Sequence, residues 1–490
     1  MCSISGAFHT EDATKKTLAM LAHMKNRGKD AYGLYTNDKV FLGKSLQELK
    51  EHKGQKSNFA LAHALHAIVG FVPEPLLGKE SVFVANCEIY NWKELSQKYK
   101  ITAKNDAELL HALLDMTQEK KTLREKIFLE LRGPYAFAYL HKDLLLLQRD
   151  YLGEKPLYYV HEKNGEFYFA SENKALSGKG KELCPRQNLT YSLSTQELSF
   201  SEQKCPFKEK RKRSKSFDEA KKELSKYFLQ AVRRQSESKQ SVGLLFSGGI
   251  DSTLIALKLQ ELQVPFVCYT AYAEGGNIEV AEDFLYAKEI AQKYGFPLKV
   301  VKVSEKETQA ALPELMKIIE SDEYMKVSVA LSFYFCARQM KKDKVRICFS
   351  GLGSEELFAG YRRHKKVEDV NEECLHGLLC LHERDLYRDD LLMMSQGIEL
   401  RLPYLDYDLI HFALPLDPSF KLRDDKSESK IILREYALDL GLDLPYAYRK
   451  KKAAQYGSKF DKMLLRLAKK EHLSKQEFTK TIAKGSKKTS

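Results

Sequence analysis

The stretch VGLLFSGGIDSTLIAL, Val242 to Leu257, constrains the fold of this chain more than any other. An apolar run of strand length stops at Ser247-Gly248-Gly249, and an apolar amphipathic pattern resumes after Asp251-Ser252. The pattern predicts a strand, a tight bend and a helix, the opening of a βαβ unit. In an open parallel sheet, ligands bind at the carboxyl ends of the strands, and this bend lies at such an end. Gly248 and Gly249 let the backbone turn sharply and approach a ligand closely. The free N–H groups that open the next helix, with its dipole, then face an anion. Ser247 and Ser252 can donate hydroxyls to phosphate oxygens. Asp251 would repel phosphate unless a divalent cation such as Mg2+ bridges the two. No Walker lysine follows, so the loop is not the usual P-loop. On these six residues alone, an ordinary glycine-rich turn is the competing reading.

The surrounding pattern divides the chain. From residue 217 a helix (Phe217–Ser236) leads into the strand Val242–Phe246 and a helix from Asp251. Strand Phe266–Ala271, a helix across Val280–Tyr294, strand Leu298–Val303 and strand Val345–Phe349 follow. Strand and helix alternate, which predicts a parallel sheet covered on both faces. Residues 1–200 read differently. Short apolar runs such as SVFVANCEIY, PYAFAYL and EFYFASE are punctuated by turn residues, with one clear helix at Asp106–Met116. That is a strand-rich α+β pattern. The polar, highly charged KCPFKEKRKRSKS reads as a linker. The expected organisation is a first domain over 1–200, a linker over 201–216, an α/β domain over 217–468 and a basic, flexible tail over 469–490.

Composition narrows the class. The chain has 490 residues, 43% of them hydrophobic, enough for real cores. No run approaches the ~18 apolar residues of a membrane helix. The N-terminus has no basic segment followed by an apolar one, so no signal peptide is expected. Nine cysteines without a CxxC pair fit a reducing cytoplasm better than a disulfide framework. A net charge of +13 admits a nucleic-acid face. However, much of the excess sits in Lys208–Lys215 and the tail KGSKKTS, where no aromatics interleave. A nucleic-acid partner is therefore not expected.

The N-terminus begins Met-Cys. If Met1 is removed, Cys2 carries both a thiol and a free α-amine, whose pKa near 8 suits it to act as base for its own side chain. RGKDAYG (Arg27–Gly33), NCEIYN (Asn86–Asn91), NDAELL (Asn105–Leu110), RDYLGEKPLYY (Arg149–Tyr159) and ASENKAL (Ala170–Leu176) follow in order. This set resembles the class II glutamine amidotransferase domain, an N-terminal-nucleophile αββα sandwich. Ser-Gly-Gly-x-Asp-Ser after a strand looks like the pyrophosphate loop of ATP pyrophosphatases, a Rossmann-like parallel-sheet fold. FSGLGSEELFAGYRRH (Phe349–His364), IELRLPYLD (Ile398–Asp406), SKIILRE (Ser429–Glu435) and KKAAQYGS (Lys451–Ser458) extend the match. Together the chain resembles the glutamine-hydrolysing asparagine synthetases, and more narrowly their archaeal, asparagine-synthetase-domain branch, from residue 2 to about 465.

The resemblance implies roles. Cys2 would attack the side-chain amide of glutamine, with the Asn86 amide and the Cys87 backbone N–H stabilising the oxyanion. Glu88 and Asp106 would hold the α-amino group. Ammonia would pass through an internal tunnel to the second site. There ATP would lie across Phe246, Ser247, Gly248, Gly249, Asp251, Ser252, Thr270, Ser350 and Gly351, with Asp251 and Glu355 holding Mg2+. Aspartate would form β-aspartyl-AMP, which ammonia converts to asparagine. Lys451, or its neighbour Lys452, would neutralise charge building on phosphate. Tyr361 and Arg401 match motif positions that packing could equally explain. A homodimer is compatible with this reading.

Four departures from the family pattern stand out. AHALHAIVG (Ala62–Gly70) lacks the arginine that clamps the glutamine carboxylate; Leu65 takes its place, and His66 is the nearest substitute. Cys87 replaces a glycine, at about 1–3 kcal/mol if that position needs positive φ. Leu352 replaces a polar residue, and Glu355 an aspartate. Lys29 replaces a proline. These departures leave room for an ammonia-fed enzyme, a relative acting on another carboxylate, or a binding scaffold. A PP-loop tRNA-modifying enzyme would explain ATP and the positive charge, but not the Met-Cys set. Cys374, His376, Cys380 and His382 hold zinc-type ligands at spacings that match no helix-face template.

Overall fold

The computed structural model describes residues 2–51, 56–118, 120–208, 216–237, 240–275, 278–450 and 453–487. The chain divides into two compact units, Met1–Lys208 and Glu209–Ser490.

The first unit is built on two antiparallel sheets. One has seven strands, in the order Lys181–Glu182, Tyr158–His161, Phe167–Ala170, Ser3–Phe8, Phe59–Leu65, Ala31–Thr36, Lys39–Gly43. The other has six, ordered Leu198–Glu202, Gln187–Ser192, Leu144–Arg149, Tyr135–His141, Ser81–Cys87, Leu76–Leu77. Side chains alternate across each strand, so one set from each sheet meets in a shared core: Ile4, Phe8 and Leu61 pack with Val84, Ala138 and Leu147. The opposite set on the second sheet, including Phe83 and Phe137, packs against Leu109, Leu110 and Leu113 of the helix Asp106–Met116. The helix Ala13–His23 covers the first sheet with buried Leu18 and Leu21. The result is the four-layer αββα sandwich.

The second unit holds a five-stranded parallel sheet ordered Leu298–Val303, Phe266–Ala273, Val242–Leu245, Ile347–Phe349, Glu399–Arg401. The central strand reads Val-Gly-Leu-Leu and is buried throughout, as a strand covered on both faces must be. From Val242–Leu245 the chain builds outward on one side and later returns to build on the other. The order reverses between Val242–Leu245 and Ile347–Phe349, and a crevice opens outside the carboxyl ends of those two strands. Helix Phe217–Gln235 starts at a capping box of Ser216 and Glu219. Helices Ile250–Glu261 and Glu282–Tyr294 follow their strands.

Two expectations change. The lysine-rich C-terminal segment is not a frayed tail over its described length. Lys475–Lys487 is a helix, with Phe478 and Thr479 buried and Lys475 paired to Asp461 at 2.9 and 3.0 Å. Composition counted its lysines, but one aromatic at the right helical position suffices to dock it. Of the expected linker, residues 209–215 lie outside the described residues, and the stretch before them ends in strand Leu198–Glu202 and a turn at Pro206–Lys208. Among the described residues, no helix is long and apolar enough to cross a membrane.

Candidate active sites

In the first unit, Cys2 precedes the strand Ser3–Phe8 and is buried. Its backbone nitrogen donates to Asn86 Oδ1 at 3.1 Å, and its carbonyl accepts from Arg27 Nε at 3.1 Å. Arg27 is itself anchored to Glu172 at 2.9 Å. The His66 backbone N–H points at Cys2 Sγ, 3.5 Å away. Asn86, fully buried at the end of strand Ser81–Cys87, leaves its Nδ2 without a hydrogen-bond acceptor among the described residues. A buried amide N–H with no partner is costly to the fold and ready for an oxyanion.

Cys87 answers one of the departures. It lies in extended strand, paired with Tyr135, and is not among the residues with positive φ. The expected backbone penalty is therefore absent. Its Sγ lies 3.5 Å from Asp106 Oδ2, which also accepts the Ile89 N–H at 2.9 Å. Burial pushes the Cys87 thiol up, and Asp106 adds to the effect. Asp106 and Glu88 are both buried close by. Where the family pattern has an arginine, Leu65 packs with Cys2, Ala31 and Ala67 in an apolar patch. Behind it, buried Glu74 accepts the Ala85 N–H at 2.6 Å and lies 3.5 Å from His63 Nε2. Burial raises the Glu74 carboxyl to about 8 and lowers the His63 imidazole. Lys29 is accommodated because the Asp30 side chain ties the turn to the Ala67 N–H at 2.7 Å, so no proline is needed.

In the second unit, the crevice at the strand-order reversal collects two loops. Gly248 adopts φ +64, and a Cβ there would lie 2.8 Å from the backbone of Tyr286 and Ala287, so only glycine fits. Arg449 straps the bend from outside: Nη1 donates to the Ser247 carbonyl at 2.7 Å and Nη2 to Asp283 at 2.5 Å, with Tyr286 stacked 4.1 Å beneath the guanidinium. Phe246 follows the strand Val242–Leu245 and Thr270 lies within the strand Phe266–Ala273, and both are buried. Ser252 donates its hydroxyl to the Gly249 carbonyl at 3.2 Å, so here it braces the bend. The Ser350-Gly351 loop approaches closely; a Cβ at Gly351 would sit 2.8 Å from Asp251 Cβ.

The two carboxylates expected at a metal meet at one ammonium. Lys430 Nζ lies 2.7 and 2.8 Å from the Asp251 oxygens and 2.9 Å from Glu355 Oε1. Ser354 Oγ adds a donor to Asp251 at 2.5 Å, and the Tyr404 hydroxyl donates to its carbonyl at 3.1 Å. Two hard oxygen donors converging on one cation position fit Mg2+, which takes one or two protein carboxylates and completes its shell with water and phosphate. Glu356, next along, is buried, and its carboxyl is pushed up to about 7 by burial, with Asp385 and Glu355 adding to it. Arg401 pairs with Glu399 at 2.8 Å and with the Gln235 carbonyl, and Tyr361 lies 4.2 Å beneath Arg363 with Glu356 beside its hydroxyl. Lys451 and Lys452 lie outside the described residues. No three of Cys374, His376, Cys380 and His382 come together as metal ligands; Cys380 Sγ is 3.9 Å from the nearer His376 nitrogen. Sequence reading missed Lys430 and Arg449, although Lys430 lay inside the quoted SKIILRE.

Comparison with known proteins matches this geometry. A glutamine amidotransferase domain family model covers residues 1–228, and an asparagine synthase model covers 223–373 and 365–483. A protein of Methanocaldococcus jannaschii whose name places it among glutamine-hydrolyzing asparagine synthetases is 30% identical over 98% of this chain and 98% of its own length. Asparagine synthetase B (glutamine-hydrolyzing) of Escherichia coli is 27% identical over 92% of this chain and 81% of its own. The glutamine-hydrolyzing asparagine synthetase of Rattus norvegicus is 26% identical over 90% and 82%. The chain belongs to the asparagine synthetase family, with an N-terminal glutamine amidotransferase domain of the αββα type and a C-terminal parallel-sheet synthetase domain.

Proposed function

We propose that this chain performs ATP-dependent asparagine synthesis, joining nitrogen from glutamine or free ammonia to the β-carboxylate of aspartate. AMP and pyrophosphate leave, and glutamate when glutamine is the donor. The observation that carries this reading is the meeting of the Ser247–Ser252 bend, the Ser350-Gly351 loop and the Asp251–Glu355 pair at the reversal point of the parallel sheet.

In the first unit, Cys2 is the nucleophile. Removal of Met1 turns its nitrogen into the α-amine, held by Asn86 Oδ1 and able to take the thiol proton. The thiolate attacks the glutamine amide carbon, and Asn86 Nδ2 with the Cys87 N–H receives the oxyanion. Glu88 and Asp106 orient the substrate amine. Hydrolysis of the acyl-enzyme gives glutamate and ammonia. Leu65 offers no charge to the glutamine carboxylate, which makes free ammonia a competitive donor.

In the second unit, the backbone N–H groups at the start of helix Ile250–Glu261 face the triphosphate. Aspartate attacks the α-phosphate, forming β-aspartyl-AMP, and ammonia displaces AMP. Asp251 and Glu355 would hold Mg2+, which would supply positive charge toward the pyrophosphate. Lys451 would serve the same end at the α-phosphate. The nine cysteines form no disulfide, in keeping with a cytoplasmic setting.

The test is pyrophosphate release from Mg-ATP with a panel of carboxylates, each with glutamine and with ammonium. Aspartate should be required, and both donors should support release. No release with aspartate under either donor overturns the reading. Release with ammonium only overturns the glutaminase half.

A further inference from the structure

We propose that the Lys430 ammonium is the resident counter-ion of Asp251 and Glu355, that it competes with a divalent cation for that pair, and that metal arrival hands it over to the triphosphate. This rests on reading Asp251 and Glu355 as the metal carboxylates.

Lys430 Nζ makes three carboxylate contacts, at 2.7 and 2.8 Å to Asp251 and 2.9 Å to Glu355. The Lys430 and Asp251 side chains are buried, 4% and 2% exposed, while Glu355 reaches solvent at 22%. A divalent ion needs the same oxygens at about 2.1 Å, and it cannot take them while the ammonium stays. The surroundings are shaped for this arrangement. Gly360 lies against it, and a Cβ there would fall on Glu355 Oε2 and 2.5 Å from Lys430 Cε. Lys430 itself opens helix Ile431–Asp439 at φ +60, a left-handed conformation that disfavours any residue with a Cβ.

Charge decides the consequence. Asp251, Glu355 and Lys430 together carry one net negative charge. A divalent ion in place of the ammonium brings the pair to neutrality and leaves a free positive charge on a flexible four-carbon stem. A lysine ammonium is a point charge that suits phosphate. Metal alone must therefore displace a buried cation that has nowhere favourable to go. Metal with triphosphate meets an ammonium that gains a new partner. Metal and nucleotide should bind with positive coupling, and Lys430 should carry that coupling.

The experiment is Mn2+ binding to the full chain by loss of the free-ion EPR signal, with and without α,β-methylene-ATP, in wild type, Lys430→Met, Lys430→Gln and Asp251→Asn. Melting curves identify which variants are folded. Removing Lys430 should tighten Mn2+ binding without nucleotide at least about tenfold and shrink the tightening that the nucleotide brings. Asp251→Asn should lose Mn2+ in both conditions. If Asp251→Asn does so but neither Lys430 variant binds Mn2+ more tightly, the Lys430 inference is overturned while the metal site stands. If Asp251→Asn binds Mn2+ like wild type, the metal reading itself fails. Wild type provides a test free of folding defects: Mn2+ alone should raise reductive methylation of Lys430 several-fold, and unchanged labelling overturns the displacement.

Discussion

Gly248→Ala probes the bend on which the synthetase site depends, and Gly295→Ala provides its control. Both glycines have positive φ, +64 and +72. At Gly295 an added Cβ meets nothing within 4 Å, so alanine there costs only the left-handed backbone, about 1–2 kcal/mol. At Gly248 the same Cβ also lies 2.8 Å from backbone atoms of Tyr286 and Ala287, which cannot rotate aside as a side chain could. Overpacking of that kind adds about 1–3 kcal/mol. At roughly 2–4 °C per kcal/mol for a domain of this size, the melting temperature should drop by roughly 10 °C for Gly248→Ala and roughly 4 °C for Gly295→Ala. The difference between the two isolates the crowding. Relief of the clash pushes the bend away from helix Glu282–Tyr294 and strains the Arg449 strap on the Ser247 carbonyl. The N–H groups behind the triphosphate then move, and the KM for ATP should rise about tenfold or more. Differential scanning fluorimetry and pyrophosphate release at varied ATP provide both readouts. Equal melting shifts for the two variants would refute the packing argument. A folded Gly248→Ala with an unchanged KM for ATP would refute the placement of nucleotide at this bend.

Cys2→Ala should abolish the glutamine-fed rate and leave the ammonium-fed rate within about twofold, because the role proposed for Cys2 is confined to amide cleavage; equal loss with both donors would break that division of labour. Leu65→Arg should lower the KM for glutamine about tenfold or more, since a charge-assisted hydrogen bond contributes about 1.5–3 kcal/mol; a folded variant with unchanged KM would show that the missing guanidinium does not limit glutamine binding. Glu74 is raised to about 8 in the folded chain, so burial favours its protonated form. Its contribution to stability is full below about 4.5 and is lost as pH rises toward 8. Glu74→Gln, which keeps an oxygen for the Ala85 N–H, should therefore flatten the fall of melting temperature between pH 5 and 8; an unaltered slope would place the titration elsewhere.

What could be read from the sequence was local. The Ser247–Ser252 bend was legible because its glycines, its strand and its helix are contiguous, and Asp106–Met116 because its apolar spacing matches a helix over its whole length. Lys430 and Arg449 were not legible. Their partners Asp251 and Ser247 lie 179 and 202 residues away, and only the order of strands in the sheet brings them together. The C-terminal helix failed for another reason: a lysine count says nothing of Phe478, whose burial is decided by the unit it docks on.

The departures from the family pattern sort by geometry rather than by chemical similarity. Cys87 for glycine looks the most severe, yet extended strand accepts a Cβ without strain, and the N–H that matters survives. Glu355 for aspartate lengthens a carboxylate by one methylene, and the contacts around it show the extra reach taken up: Gly360 leaves the space, and Lys430 meets Oε1 at 2.9 Å. Leu65 for arginine puts an apolar side chain, packed with Cys2, Ala31 and Ala67, where the family pattern has a guanidinium. Arg27, the buried guanidinium next to Cys2, is already committed to the Cys2 carbonyl and to Glu172, which Lys174 also meets at 2.5 Å. On the proposed reading, a glutamine carboxylate placed against Leu65 would meet an apolar patch. Under the proposed function, the synthetase half keeps Asp251, Glu355 and Lys430 together at its crevice, whereas the glutaminase half keeps Cys2 and Asn86 but sets Leu65 where the family pattern has an arginine. Donor preference, rather than the chemistry at phosphate, is where this chain should differ from its relatives.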